Sequence, residues 1–208
     1  MAVKDQWTLI HAEREALAGD LVGLDAGQWQ NPSLCEQWTV REVLAHMTST
    51  AAMTPAKFIA TFLGSGFNFK SLTSKGVRSE LGDSPAETLE RFKAQGASRS
   101  SPPGPIDSWV GETIVHAEDI RRPLVIAHTY APAAVRLVAD FYVGSNLLIG
   151  AKNRIAGVAL RATETDWSHG SGPQVSGPLL SLVMAMTGRK VALDNLEGPG
   201  LEVLRSRE

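Results

Sequence analysis

In the stretch Gly111-Glu112-Thr113-Ile114-Val115-His116-Ala117-Glu118-Asp119-Ile120-Arg121-Arg122-Pro123, a carboxylate and an imidazole stand four residues apart at Glu112 and His116. On a helix that spacing stacks the two side chains on one face. Two stacked ligand-type side chains are the start of a helix-borne metal site, but an ordinary surface pair looks the same. The chain contains a rival in reverse order, His11 and Glu15, turned away from the Ile10, Leu17, Leu21 and Leu24 stripe of its own helix, and that pair reads as solvated.

The placement of Glu112 and His116 differs. At about 100° per residue, His116 falls roughly 80° and Glu112 roughly 120° from the centre of their helix's apolar stripe. His46 falls on the flank of a second helix by the same count. Flanks are what neighbouring helices of a bundle turn toward each other, so three ligands from two helices would meet at the rim of the core. Two imidazoles and one carboxylate are a common catalytic zinc set, with a position left for water or substrate. The same set matches the facial triad of non-haem iron(II), and nickel or manganese also accept it. Zinc is the preferred ion.

The elements that must position these residues follow from periodicity and capping. Residues 5 to 26 form an amphipathic helix, and residues 27 to 37 a loop. Thr39-Val40-Arg41-Glu42 matches a capping box, which predicts a helix running to about Gly64. Residues 64 to 83 read as a long connection, and Ser84-Pro85-Ala86-Glu87 opens a helix to about Gly96. A loop over 98 to 105 leads into the helix carrying Glu112 and His116, which Pro123 bounds. A further helix is predicted from Pro132 to about Gly150. Then Val158 to Thr163 alternates like a strand, Gly-rich turns fill 169 to 177, and a short helix spans Leu179 to Met186 before Thr187-Gly188-Arg189. The expected architecture is mainly α: a helical bundle over residues 1 to 152 and a small α/β domain over 153 to 208.

Composition narrows the function classes. With 208 residues, 43% hydrophobic and 20% charged, the chain is an ordinary globular one. A net charge of −2 shows no footprint for nucleic acid or anionic lipid, so neither is expected as a partner. No apolar run approaches the roughly 20 residues of a spanning helix, and the first residues lack a signal-peptide core. A single cysteine, Cys35, excludes an internal disulfide and a Cys-rich zinc module. Both features lead to an expected cytoplasmic location.

Two segments carry a resemblance. Leu34-Cys35-Glu36-Gln37-Trp38-Thr39-Val40-Arg41-Glu42-Val43-Leu44-Ala45-His46 and Gly111 to Leu124 resemble the two signatures of the mycothiol-dependent maleylpyruvate isomerase-like family, within the DinB/YfiT-like metal-dependent superfamily. The tail from Arg161 to Arg189 is similar to that family's small C-terminal domain. The resemblance implies a DinB-like four-helix bundle with a divalent metal on His46, Glu112 and His116. It further implies mycothiol as thiol cosubstrate, and isomerisation or S-transfer on a small electrophile. Arg189 resembles an arginine that the family places near its active site. Residues 64 to 105 carry no recognised motif, which leaves the substrate open.

The remaining polar residues have competing readings. Arg122, like Arg121, could attract carboxylates of thiol or substrate, yet cations in a helix's last turn also answer its macrodipole. Arg189 could equally cap the helix ending near Met186. Asp119 could orient a ligand imidazole or merely pack. Cys35 reads as a small buried hydrophobe, and the five tryptophans as packing residues. The expected function is a metal-dependent, mycothiol-dependent isomerase or S-transferase, working as a monomer or homodimer. The alternatives are a non-catalytic metal- or ligand-binding protein and a metal-dependent hydrolase.

Overall fold

The structure, a computed structural model, describes residues 3–147 and 149–207. The chain divides into two compact units, Met1–His128 and Thr129–Glu208. It is mainly α, a helical bundle followed by a small α/β part.

In the first unit, α1 (Val3–Asp20), the short α2 (Ala26–Gln30), α3 (Val40–Ala51), α4 (Pro55–Leu63), α5 (Phe69–Glu80), α6 (Pro85–Ala94) and α7 (Ile106–Arg121) follow one another. Four of them close a bundle: α1 packs on α7, α7 on α3, α3 on α6, and α6 back on α1. The core between them contains Leu17 of α1 and Leu21 just past its end, Val43, Leu44 and Met47 of α3, Phe92 of α6, and Ala117 and Ile120 of α7. Burying such side chains is worth about 1.5 to 3 kcal/mol each. A charged cluster lies beside this core. Arg121 is fully buried and its Nε donates to Asp20 Oδ2 at 2.8 Å, while Glu13 Oε2 lies 2.9 Å from His128 Nε2 and 3.9 Å from Arg121 Nη1. Arg121 is thereby committed to holding α7 against α1.

Three connections differ from the sequence expectation. The helix predicted from Thr39 to Gly64 is two helices. Ala52 and Met53 break it, and a second start follows in which the Thr54 side chain accepts from the Lys57 amide with Pro55 at the first position. The connection predicted over 64 to 83 contains α5, whose Asn68 cap accepts from the Ser71 amide. Its Ser, Thr and Gly content hides the periodicity, and it folds because Leu72 and Val77 bury toward the bundle. The loop predicted over 27 to 37 begins inside α2, capped by Asp25.

In the second unit, α8 (Pro132–Gly144), α9 (Ala151–Arg154), β1 (Ala159–Ala162), β2 (Ser168–Gly170), β3 (Gln174–Gly177), α10 (Leu179–Met186), a 3-10 helix (Lys190–Asn195) and α11 (Leu201–Arg205) surround a small sheet. The strand order is β2-β1-β3, with β1–β2 antiparallel and β1–β3 parallel. The region read as Gly-rich turns therefore holds two of the three strands. The helix expected to reach Gly150 stops at Gly144, and Leu148 within that expectation lies outside the described residues. α8 packs on α10, so the compact division falls at 128/129 where the sequence placed it at 152/153. α10 ends as expected: Gly188 takes a φ of 88°, the left-handed value that glycine adopts without a Cβ clash, and Arg189 N returns to Met184 O at 3.0 Å. No helix among the described residues is long and apolar enough to cross a membrane.

Candidate metal centre

The α3 capping box forms as predicted. Thr39 Oγ1 accepts from the Glu42 amide at 3.3 Å and Glu42 Oε2 accepts from the Thr39 amide at 2.8 Å. This anchors the start of the helix whose second turn holds His46. On α7, the i,i+4 pair Glu112 and His116 shares a face. Where α3 meets α7, one ligand-capable atom from each of His46, Glu112 and His116 lies within 4.8 Å of the others. His46 Nε2 is 3.9 Å from Glu112 Oε1, and the two imidazole rings stand nearly perpendicular with centroids 4.9 Å apart. All three residues are half-buried, at the rim of the core.

The electrostatics favour the ligand form of the imidazole. Burial, followed by the neighbouring His116, pushes the His46 pKa down to about 3, with Asp119 opposing. His46 is therefore neutral at physiological pH, with a lone pair available. Burial raises the Glu112 pKa, against His116, Arg14 and a hydrogen bond from Thr50. Glu112 Oε1 is buried and has no hydrogen-bond partner. Such an orphaned oxygen costs desolvation energy, and a cation is the group that would satisfy it beside two imidazoles. The donor set fits a divalent ion of the zinc class.

Surrounding residues orient this set. His116 Nδ1 lies 2.9 Å from Asp119 Oδ2, and Asp119 is fully buried. Donation from Nδ1 leaves Nε2 free to ligate. Arg14, nearly fully buried, donates to Ser98 O at 3.0 Å; burial lowers its pKa, and the Glu112 charge opposes that shift. The loop before α3 is folded by Ser33, whose Oγ donates to Trp38 O at 2.8 Å, and is tied to α7 by Leu34 N donating to Asp119 O at 3.1 Å.

That loop holds two residues whose place the sequence reading missed. Trp38, taken there as a packing residue, sets its ring 4.9 Å from the His46 ring. Cys35 is half-buried, not fully buried, with its thiol within 4.8 Å of ligand atoms of His116 and Asp119. The Leu34-to-His46 motif contains both residues, but only a chain reversal brings them to the histidines. Arg14 and Thr50 carried no sequence signal at all.

The other candidates make bonds of their own. His11 Nε2 pairs with Ser98 O at 3.1 Å, and Glu15 joins no metal cluster among the described residues. Arg122 Nε donates to Glu118 Oε2 at 2.7 Å, one turn back. In the second unit, Arg189 Nη1 donates to Thr187 O at 3.0 Å at the end of α10.

Fold and ligand cluster together define a helical-bundle protein with a candidate three-residue metal centre. A family model described as the mycothiol maleylpyruvate isomerase N-terminal domain matches residues 10–121, more than half of the chain, and the chain belongs to that family. Two solved structures are similar over the whole length. A crystal structure of the mycothiol-dependent maleylpyruvate isomerase has a TM-score of 0.59 at 12% identity, with 96% of this chain and 93% of that one covered. A histidine-to-alanine mutant of the mycothiol-dependent maleylpyruvate isomerase has a TM-score of 0.62 at 14% identity, with the same coverage. At those identities the likeness is one of fold. No curated protein matches the sequence.

Proposed function

We propose that this chain is a metal-dependent, mycothiol-dependent enzyme of isomerase or S-transferase type, acting on a small carboxylate-bearing electrophile, with zinc on His46, Glu112 and His116. The observation that carries the reading is the buried, unpartnered Glu112 Oε1 facing His46 Nε2, with His116 beside both. Family membership supports the thiol.

A divalent ion held there would supply the positive charge that lowers the pKa of a bound thiol toward neutrality. The chain's own residues prepare that step. Neutral His46 presents a lone pair, and Asp119 holds the His116 proton on Nδ1 so that the Nε2 lone pair is left for the ion. Thr50 and Arg14 favour the ionised form of Glu112. In an isomerisation, the thiolate adds to one carbon of a cis double bond and a negative charge develops on the conjugated acyl group. Rotation follows about the new single bond, and expulsion of the thiolate restores the double bond in trans geometry. Nothing is oxidised or reduced, and the thiol is regenerated. In S-transfer the same addition or displacement ends with the conjugate released. The reducing cytoplasm is the compartment that suits a thiol cosubstrate. Arg122, for its cationic side chain, and Arg189, on the family resemblance, are proposed as carboxylate binders; their bonds to Glu118 and Thr187 are ones that helix capping and packing also provide.

The test is metal analysis of the untagged protein, followed by calorimetric titration of metal-loaded and metal-stripped forms with mycothiol and with glutathione. Mycothiol binding confined to the loaded form is the expected result. Metal uptake with no thiol response would replace this reading with a metal carrier or a hydrolase.

A further inference from the structure

In the hairpin of α4 and α5, α4 departs from the packing logic of its neighbours α3, α5 and α6. Every residue of α4 except Lys57 and Thr61 is apolar, yet none of its nine residues is buried. Ile59 and Leu63, one turn apart, are 55% and 54% exposed. At the hairpin tip Phe67 and Phe69 are 66% and 45% exposed, and both rings contact Phe62, at 5.5 and 4.8 Å. Phe67 holds a φ of 61°, a left-handed conformation that an aromatic residue rarely enters. A helix that is apolar nearly all round belongs inside a core or in a lipid environment, and this one is in no core.

The charges around it have one sign. Between Glu42 and Glu80 the chain has no Asp or Glu, while Lys57, Lys70, Lys75 and Arg78 are all exposed. Lys75 Nζ donates to Gly64 O at 3.1 Å and Ser65 Oγ at 3.2 Å, which places one ammonium at the tip beside the phenylalanines. The whole-chain net charge of −2, which argued against a lipid partner, conceals this local excess of four cations.

We propose that the α4–α5 hairpin docks on an anionic phospholipid surface, with the apolar face of α4 and the Phe67 and Phe69 rings entering the boundary between headgroups and acyl chains and the lysines meeting the phosphates. Nine residues of helix span about 13.5 Å, far short of a bilayer core, so the helix lies in the interface and does not cross it. Apolar anchors ringed by lysine are what such a surface recognises. A second copy is the poorer occupant, because a two-fold contact would set the same cations against each other.

Co-sedimentation with vesicles tests this, using phosphatidylcholine alone and phosphatidylcholine mixed with phosphatidylglycerol. The metal-loaded protein should pellet with the anionic vesicles only, less so as salt rises. Phe67→Ser should weaken partitioning at least about tenfold. Lys70→Glu, a change of two charge units, should weaken it about 25-fold, about fivefold for each unit. Lys190→Glu, outside the segment, should leave binding unaltered. Far-UV circular dichroism and metal content, expected unchanged, would show that the variants remain folded. No pelleting with anionic vesicles at low salt, equal pelleting with neutral ones, or pelleting indifferent to both Phe67→Ser and Lys70→Glu would overturn the proposal. So would sedimentation showing Phe67-dependent self-association without vesicle binding, or capture of an acidic protein by a hairpin that ignores lipid.

Discussion

His116 and Asp119 are joined one turn apart on the same helix, Nδ1 to Oδ2 at 2.9 Å, with the carboxylate fully buried. The bond fixes the imidazole's tautomer and ring plane before any ion arrives. Asp119→Asn should reduce zinc affinity about 10- to 100-fold while helix content stays unchanged, as measured by competition with a chromophoric chelator. Unaltered affinity would reduce the bond to packing.

The three ligands should behave as one unit. His46→Ala, Glu112→Gln and His116→Ala should each lower metal affinity at least about tenfold in the folded protein, and His11→Ala should not. Elemental analysis after dialysis reads the difference, and full occupancy in His46→Ala would remove the three-residue centre.

The metal-free protein should lose stability on acidification through His46. Its folded pKa of about 3 lies below the ordinary 6.5, so between those values the unfolded chain binds the extra proton and stability falls as pH falls. From pH 6.5 to 5 the loss is about 1.7 kcal/mol, because the slope of about 1.4 kcal/mol per unit is only half developed at pH 6.5. Glu112, with a raised pKa, acts in the opposite sense, so the comparison must be between wild type and His46→Gln. Urea denaturation of both at several pH values should show the flatter profile in the variant; parallel profiles would contradict the buried neutral imidazole.

Cys35→Ser should cost about 1 kcal/mol, at the low end for a polar replacement because the residue is half-buried, and should spare thiol-dependent turnover. Loss of turnover in a folded, metal-loaded variant would make the Cys35 thiol, close to His116 and Asp119, a participant in the chemistry.

Arg121→Ala should destabilise the bundle by about 3 kcal/mol or more, since it removes the buried cation paired with Asp20 and leaves Glu13 to His128 alone. Equilibrium denaturation measures it; a change below about 1 kcal/mol would show that water replaces the guanidinium.

What was legible in the sequence is what depends on neighbours along the chain. The Thr39 box, the Pro55-type and Ser84-Pro85 starts, and the stripes of α1, α3 and α7 are local, because capping and the 3.6-residue period act within one or two turns. The Pro55 start was present but overlooked, since the apolar run on both sides read as one helix. The His46, Glu112 and His116 triad was readable because each lies on the flank of a periodic element, and flanks converge when helices pack. Only the tertiary structure decided the rest. α5 and strands β2 and β3 have weak local preference and exist through contacts with α3 and β1, respectively. Trp38 and Cys35 reach the histidines because hydrogen bonds from Ser33 and Leu34 fold a loop back on α7. Arg14 meets the field of Glu112 across nearly a hundred residues of chain, a proximity that no spacing rule encodes because it arises from helix packing.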